Sequence, residues 1–94
     1  MNPAEFDYLI QKAVEAGLTY KAYPAQWLLN ITDSDGTVQS YYASTKTAIF
    51  RDGNDKYRSQ KHTERNFPYD RFIALCIGEG DDDILDFFKE DWMR

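Results

Sequence analysis

The sequence predicts an α+β domain. Three observations carry the prediction. An amphipathic helical stretch opens the chain, alternating strand-like segments separated by turn residues fill the middle, and helical periodicity returns near the end. The specific expectation is a small three-stranded antiparallel meander packed against helices, in the order α-β-β-β-α-α, as one domain over residues 1–94.

The first helix is expected from about Pro3 to Ala16. Phe6, Leu9, Ile10, Ala13 and Val14 recur at the i, i+3, i+4, i+7, i+8 spacing of one helical face. Asn2 is a good N-cap, Pro3 suits the first helical position, and Glu5 stands where a capping-box acid would. Gly17 can take the left-handed conformation that stops the helix. Leu18 to Pro24 reads as a connector or an irregular edge strand, because Pro24 has no N–H for a ladder.

Gln26 to Thr32 reads as a strand with Trp27, Leu29 and Ile31 on one side. Asp33-Ser34-Asp35-Gly36 supplies a turn, and Thr37 to Ala43 returns antiparallel. A slip of one residue would exchange the faces of this strand. The expectation is Val38 and Tyr42 inside and Gln39 in water. Thr47 to Arg51 is the third strand and a sheet edge, closed by the turn residues Asp52-Gly53-Asn54-Asp55. Lys56 to Asn66 lacks apolar periodicity and reads as a long polar loop or a frayed helix. Pro68 can open a helix that buries Tyr69, Phe72, Ile73, Cys76 and Ile77 and ends at Gly78 and Gly80. Asp81-Asp82-Asp83 can cap a last helix striped by Ile84, Leu85, Phe88 and Trp92.

The segment Tyr41-Tyr42-x-Ser44-Thr45-Lys46-Thr47-x-x-Phe50 resembles one in small uncharacterised proteins of phages and prophages of Gram-positive bacteria. In those proteins a tyrosine-rich strand meets a Thr-x-Thr break and a second strand, often followed by a glycine turn. Asp52-Gly53 occupies that turn here, and Ala43 stands where family members tend to have Pro. The resemblance covers residues 38–53. It implies a phage origin and assigns no residue a role.

Composition narrows the function classes. The chain has 94 residues, is 43 % hydrophobic and holds seven tyrosines, six phenylalanines and two tryptophans. This excludes disorder as the default. No apolar run approaches the length of a membrane span, and no charged stretch followed by an apolar one marks a secretory leader. Cys76 is the single cysteine, so no internal disulfide can form, and a reducing, cytoplasmic setting is expected. The two edges of a three-stranded sheet, guarded by Lys46, Arg51 and Pro24, lead to the expectation of a monomer.

Chemistry is sparse. His62 and Cys76 are the only histidine and cysteine, too few for a soft metal set. Asp33-Ser34-Asp35-Gly36 superficially resembles a calcium loop, but the residues after it are strand-like and the bidentate Glu is missing. Asp81-Asp82-Asp83 is explained by capping. No nucleophile with its base and no paired acids appear. The expectation is therefore no enzyme, no metal and no cofactor.

Binding remains, and charge is unevenly placed. The formal net charge is −5. Residues 1–45 sum to −3, residues 46–71 to +3 and residues 72–94 to −5. The first reading is a protein-binding module in which Asp81, Asp82, Asp83, Phe87 and Trp92 meet a basic partner, plausibly a host factor. The second is nucleic-acid binding through Lys46, Arg51, Lys56, Arg58, Lys61 and Arg65, beside Tyr57 and His62. A sequence pI near 4.7 weighs against the second.

Overall fold

A computed structural model describes residues 1–51 and 61–78. The α+β class holds, but the three-stranded sheet does not. Five antiparallel strands form a single meander, in spatial order β1 to β5, with a helix before and a helix after. The elements are α1 (Pro3–Glu15), β1 (Thr19–Tyr23), β2 (Leu28–Thr32), β3 (Val38–Tyr42), β4 (Thr47–Arg51), β5 (Lys61–Glu64) and α2 (Tyr69–Cys76). The turn over 52–55 and the last helix expected from Asp81 lie outside the described residues. No helix among the described residues is long and apolar enough to cross a membrane.

The two added strands have a common explanation. β1 lies at one edge and β5 at the other, so neither needs an apolar run. Among the described residues each pairs its backbone with one neighbouring strand, β1 with β2 and β5 with β4. The segment expected as a polar loop or frayed helix thus contains an edge strand at Lys61–Glu64. β4, expected at an edge, is internal.

α1 starts as its cap residues dictate. The Asn2 side chain accepts from the Glu5 backbone N–H at 2.9 Å, and Pro3 follows it. Gly17, with φ of 77°, turns the chain out of the helix into β1. After β1, Pro24–Gln26 form one 3-10 turn and Trp27 takes a left-handed φ of 51°. That turn delivers Leu28, rather than Gln26, as the first residue of β2. The Trp27 indole packs edge-on against Phe6, with centroids 5.3 Å apart.

The register of β3 is the opposite of the expected one. Gln39 and Tyr41 are buried, while Val38 is 42 % exposed. Two polar anchors outweigh the preference for burying Val38. The Tyr41 hydroxyl donates to the Phe67 carbonyl at 2.6 Å. The Gln39 amide nitrogen donates to the Arg51 carbonyl at 3.1 Å and to Asp33 Oδ2 at 3.0 Å, and its carbonyl oxygen accepts from the Arg51 N–H. Buried amides are retained when fully paired. Backbone pairing of β3 with β4 runs from Tyr42↔Thr47 to Ser40↔Ile49. Beyond it, the Gln39 side chain stands in for the missing backbone partner of Arg51.

This register gives the sheet two distinct faces. Leu29, Ile31, Tyr41, Ala48 and Phe50 point inward and share one cluster with Phe6, Ala13, Phe67, Phe72, Leu75 and Cys76. Leu9 and Ile10 of α1 and Tyr69 and Ile73 of α2 pack against it. Rings join the layers: Phe72 lies 5.1 Å from Tyr41 and 5.6 Å from Phe50. The Tyr69 hydroxyl donates to the Leu9 carbonyl at 2.7 Å, tying the two helices together. The helices therefore cover one face of the sheet, and Leu28, buried at 8 %, stands outside that cluster on the other face.

Two substitutions test these anchors. Tyr41→Phe keeps the ring but orphans the Phe67 carbonyl, and urea unfolding is expected to show a loss of about 1–3 kcal/mol. Gln39→Met has nearly the same volume but leaves Arg51 and Asp33 without their side-chain partner. It is expected to cost on the order of 2 kcal/mol in the same measurement. An unchanged midpoint in either variant would show that the hydrogen bonds do not set the register.

Candidate functional site

The cations of the basic segment that lie among the described residues sit at the two ends of β4. Lys46 sits in the β3–β4 turn with φ of 54°, and its carbonyl accepts from the Phe67 N–H at 2.9 Å. This places Lys46 and Arg65, both exposed, toward one end of β4. Arg51 pairs with Lys61 at the other end. Five residues of strand, at ~3.3 Å each, separate Lys46 from Arg51 by ~17 Å. Lys56 and Arg58 lie outside the described residues, as do Asp81, Asp82, Asp83, Phe87 and Trp92.

Arg51 is instead built into the outer face. Its Nη1 donates to Ser40 Oγ at 2.8 Å and to the Val38 carbonyl at 3.2 Å. Ser40 Oγ in turn donates to Asn30 Oδ1 at 2.6 Å. The chain Arg51–Ser40–Asn30 crosses three strands, and Ser40 is only 3 % exposed beneath it. A charged donor at its head makes this a strong series of hydrogen bonds.

The rest of that face follows from strand alternation. β1 contributes Thr19, Lys21 and Tyr23, and β2 contributes Leu28, Asn30 and Thr32. β3 adds Val38, Ser40 and Tyr42, β4 adds Thr47, Ile49 and Arg51, and β5 adds Thr63. None of these residues is Asp or Glu, in a chain with 16 of them. Lys21 and Arg51 are the cations among the described side chains of this face. Tyr23 and Tyr42 are half-buried on either side of Leu28, since Tyr23 pairs with Leu28 and Leu28 with Tyr42. The Lys21 ammonium lies 5.6 Å from the Tyr23 ring centroid.

Sequence reasoning passed over Lys21, Tyr23 and Tyr42 as site residues. They are not neighbours in sequence, and only the five-strand meander and its register bring them to one surface. The signal that would have found them is the alternation of β1 combined with the correct register of β3.

The reactive-looking residues have structural roles. Asp33 Oδ1 accepts from the N–H groups of Asp35 and Thr37, and Oδ2 from Gln39, so this carboxylate organises a turn. His62 Nε2 lies 2.8 Å from Glu64 Oε1. Among the described residues no group of three or more His, Cys, Asp or Glu is placed to hold a metal ion. Cys76 is buried, and burial, helped by the negative charge of Asp33, pushes its thiol up to about 12. It is a neutral thiol near neutral pH, unsuited to nucleophilic attack. No protein-family profile, curated protein or solved structure matches the chain.

Two buried acids, Tyr41 and Cys76, and the partly buried Tyr69 give the domain an alkaline limit. Burial raises the Tyr41 and Tyr69 hydroxyls as it raises Cys76, and for Tyr69 the charges of Cys76, Tyr41 and Asp70 add to it. A folded-state pKa above the unfolded one means that the unfolded chain releases its proton first. This stabilisation is complete below the ordinary cysteine value of 9.0 and is lost as pH climbs toward about 12. The urea midpoint is expected to be flat near neutrality and to fall above that ordinary value. A midpoint that stays level through that range would contradict the burial of these groups.

Proposed function

We propose that the chain is a non-enzymatic binding module that receives an anionic partner on the outer face of its sheet. The observation that carries the reading is that, among the described residues, this face carries no carboxylate while it presents Lys21 and Arg51. A surface of one sign raises the local concentration of a partner of the other.

The acidity of the whole chain does not oppose this. Residues 79–94 hold seven of the 16 acids and two of the 11 cations. Residues 1–78 are left with nine of each and are neutral overall. The resemblance of residues 38–53 to phage-encoded proteins supports, as part of the proposal, an accessory protein acting on a host component. The alternative of a basic protein partner rests on Asp81 to Trp92, outside the described residues, and no described side chain speaks for it.

A monomer belongs to the same proposal. Pairing two copies through β1 about Lys21 would set like charges directly opposite, which is destabilising.

A heparin column at low ionic strength tests the reading. The full chain is expected to be retained and to elute as salt rises. Lys21→Glu should abolish retention. Lys12→Glu, which makes the same charge change on α1, should leave retention largely intact. Equal behaviour of the two variants, or no retention of the unmodified chain, would overturn the proposal.

A further inference from the structure

We propose that the partner on this face is a single-stranded nucleic acid whose bases stack on Tyr23 and Tyr42; the inference rests on the outer face being the binding surface. Cations alone would serve any polyanion. The tyrosines narrow the class. Tyr23, Leu28 and Tyr42 stand side by side across β1, β2 and β3. Two strand spacings of ~4.8 Å set the two tyrosines ~10 Å apart, with an apolar floor between them. Leu28, at 8 % exposure, is that floor.

Unstacked bases need flat π-surfaces at a water-exposed but apolar site, and aromatic side chains supply them without regard to sequence. A duplex keeps its bases stacked inside, so its phosphates could meet the cations but its bases could not meet the rings. An acidic protein segment would gain from the cations but has less use for two separated tyrosines.

The cations stand where a backbone would pass. Lys21 already lies against the Tyr23 ring, so a base on that ring brings its phosphate to the ammonium. Arg51 stands four residues along β4 from Thr47, the cross-strand partner of Tyr42, at ~13 Å. Its Nη1 is committed to Ser40 and Val38, which fixes the group on the sheet. Its Nε and Nη2 have no partner among the described residues and can donate to a phosphate oxygen.

Fluorescence anisotropy with a labelled oligothymidine and with a duplex of equal length decides the matter. At low salt the full chain is expected to bind the single strand about tenfold more tightly than the duplex. Tyr42→Ala should weaken single-strand binding by about tenfold, the scale of one lost base stack, while Tyr42→Phe retains it. Lys21→Glu should weaken binding to every sequence alike and flatten the dependence on salt by about one contact. The far-ultraviolet spectrum of each variant shows whether it is folded, and Tyr23→Ala provides a second reading of stacking if Tyr42→Ala is not. Equal affinity for single strand and duplex, or unchanged affinity in folded Tyr42→Ala and Tyr23→Ala, overturns the inference. Retention on heparin with no oligonucleotide binding also overturns it, and points to an acidic protein on the same face. Loss of heparin retention as well would instead remove the underlying reading of the face.

Discussion

The hydrogen bonds of the Gln39 side chain fix which residues of β3 face the helices, and the remaining structure follows from that choice. Strand side chains alternate with a period of two, so β3 has two possible registers. One would turn Val38, Ser40 and Tyr42 toward the helices. The other turns Gln39, Tyr41 and Ala43 toward them, and it is the one adopted. Burying an amide is unfavourable unless all its groups are paired. Here one primary amide serves as both donor and acceptor to the Arg51 backbone and as donor to Asp33. It continues the β3–β4 ladder one step past the point where the two backbones part.

The same constraint builds the candidate surface. With Tyr41 turned inward, Tyr42 is turned outward. With Gln39 holding the Arg51 backbone, the Arg51 side chain is directed to Ser40 on the opposite face. Ser40 then has to hand its own proton to Asn30. The inner amide and the outer guanidinium act on the same residue pair from the two sides of the sheet. A substitution at Gln39 therefore reaches the outer surface even though its side chain lies with the core.

Much of the fold was legible because local rules and tertiary packing agree there. Asn2, Pro3 and Gly17 bound α1 for reasons internal to the helix, and Thr47–Arg51 is a strand by composition alone. The failures have physical causes. The Lys61–Glu64 segment carries Lys, His, Thr and Glu, with no apolar alternation, because an edge strand can pair its backbone without burying much side chain. Thr19–Tyr23 was ambiguous because Pro24 ends it within one residue. The β3 register was missed because burial was assigned by hydrophobicity. Val38 outranks Gln39 on any such scale, and the pairing that reverses the order involves Arg51, twelve residues away. The candidate site was less legible than the fold for the same reason. A basic run in sequence was divided between the two ends of β4, while Lys21 and Arg51, thirty residues apart, came to one face.

That division bears on how charge in a small domain is read. Net charge describes the whole chain, whereas a ligand within a Debye length of a surface, ~8–10 Å in ordinary salt, responds to the groups on that surface. A sequence pI near 4.7 sums the acids of residues 79–94 with a neutral remainder. Among the described residues the outer face of the sheet has no acids to offset Lys21 and Arg51, and Arg51 is held in place by Ser40 and Val38 rather than by a described carboxylate. An arginine fixed by neutral acceptors keeps its full charge available to a ligand. One fixed by Asp or Glu would have spent it. The neutral hydroxyl and carbonyl partners of Arg51 are the feature that separates the proposed binding surface from a structural ion pair at this position.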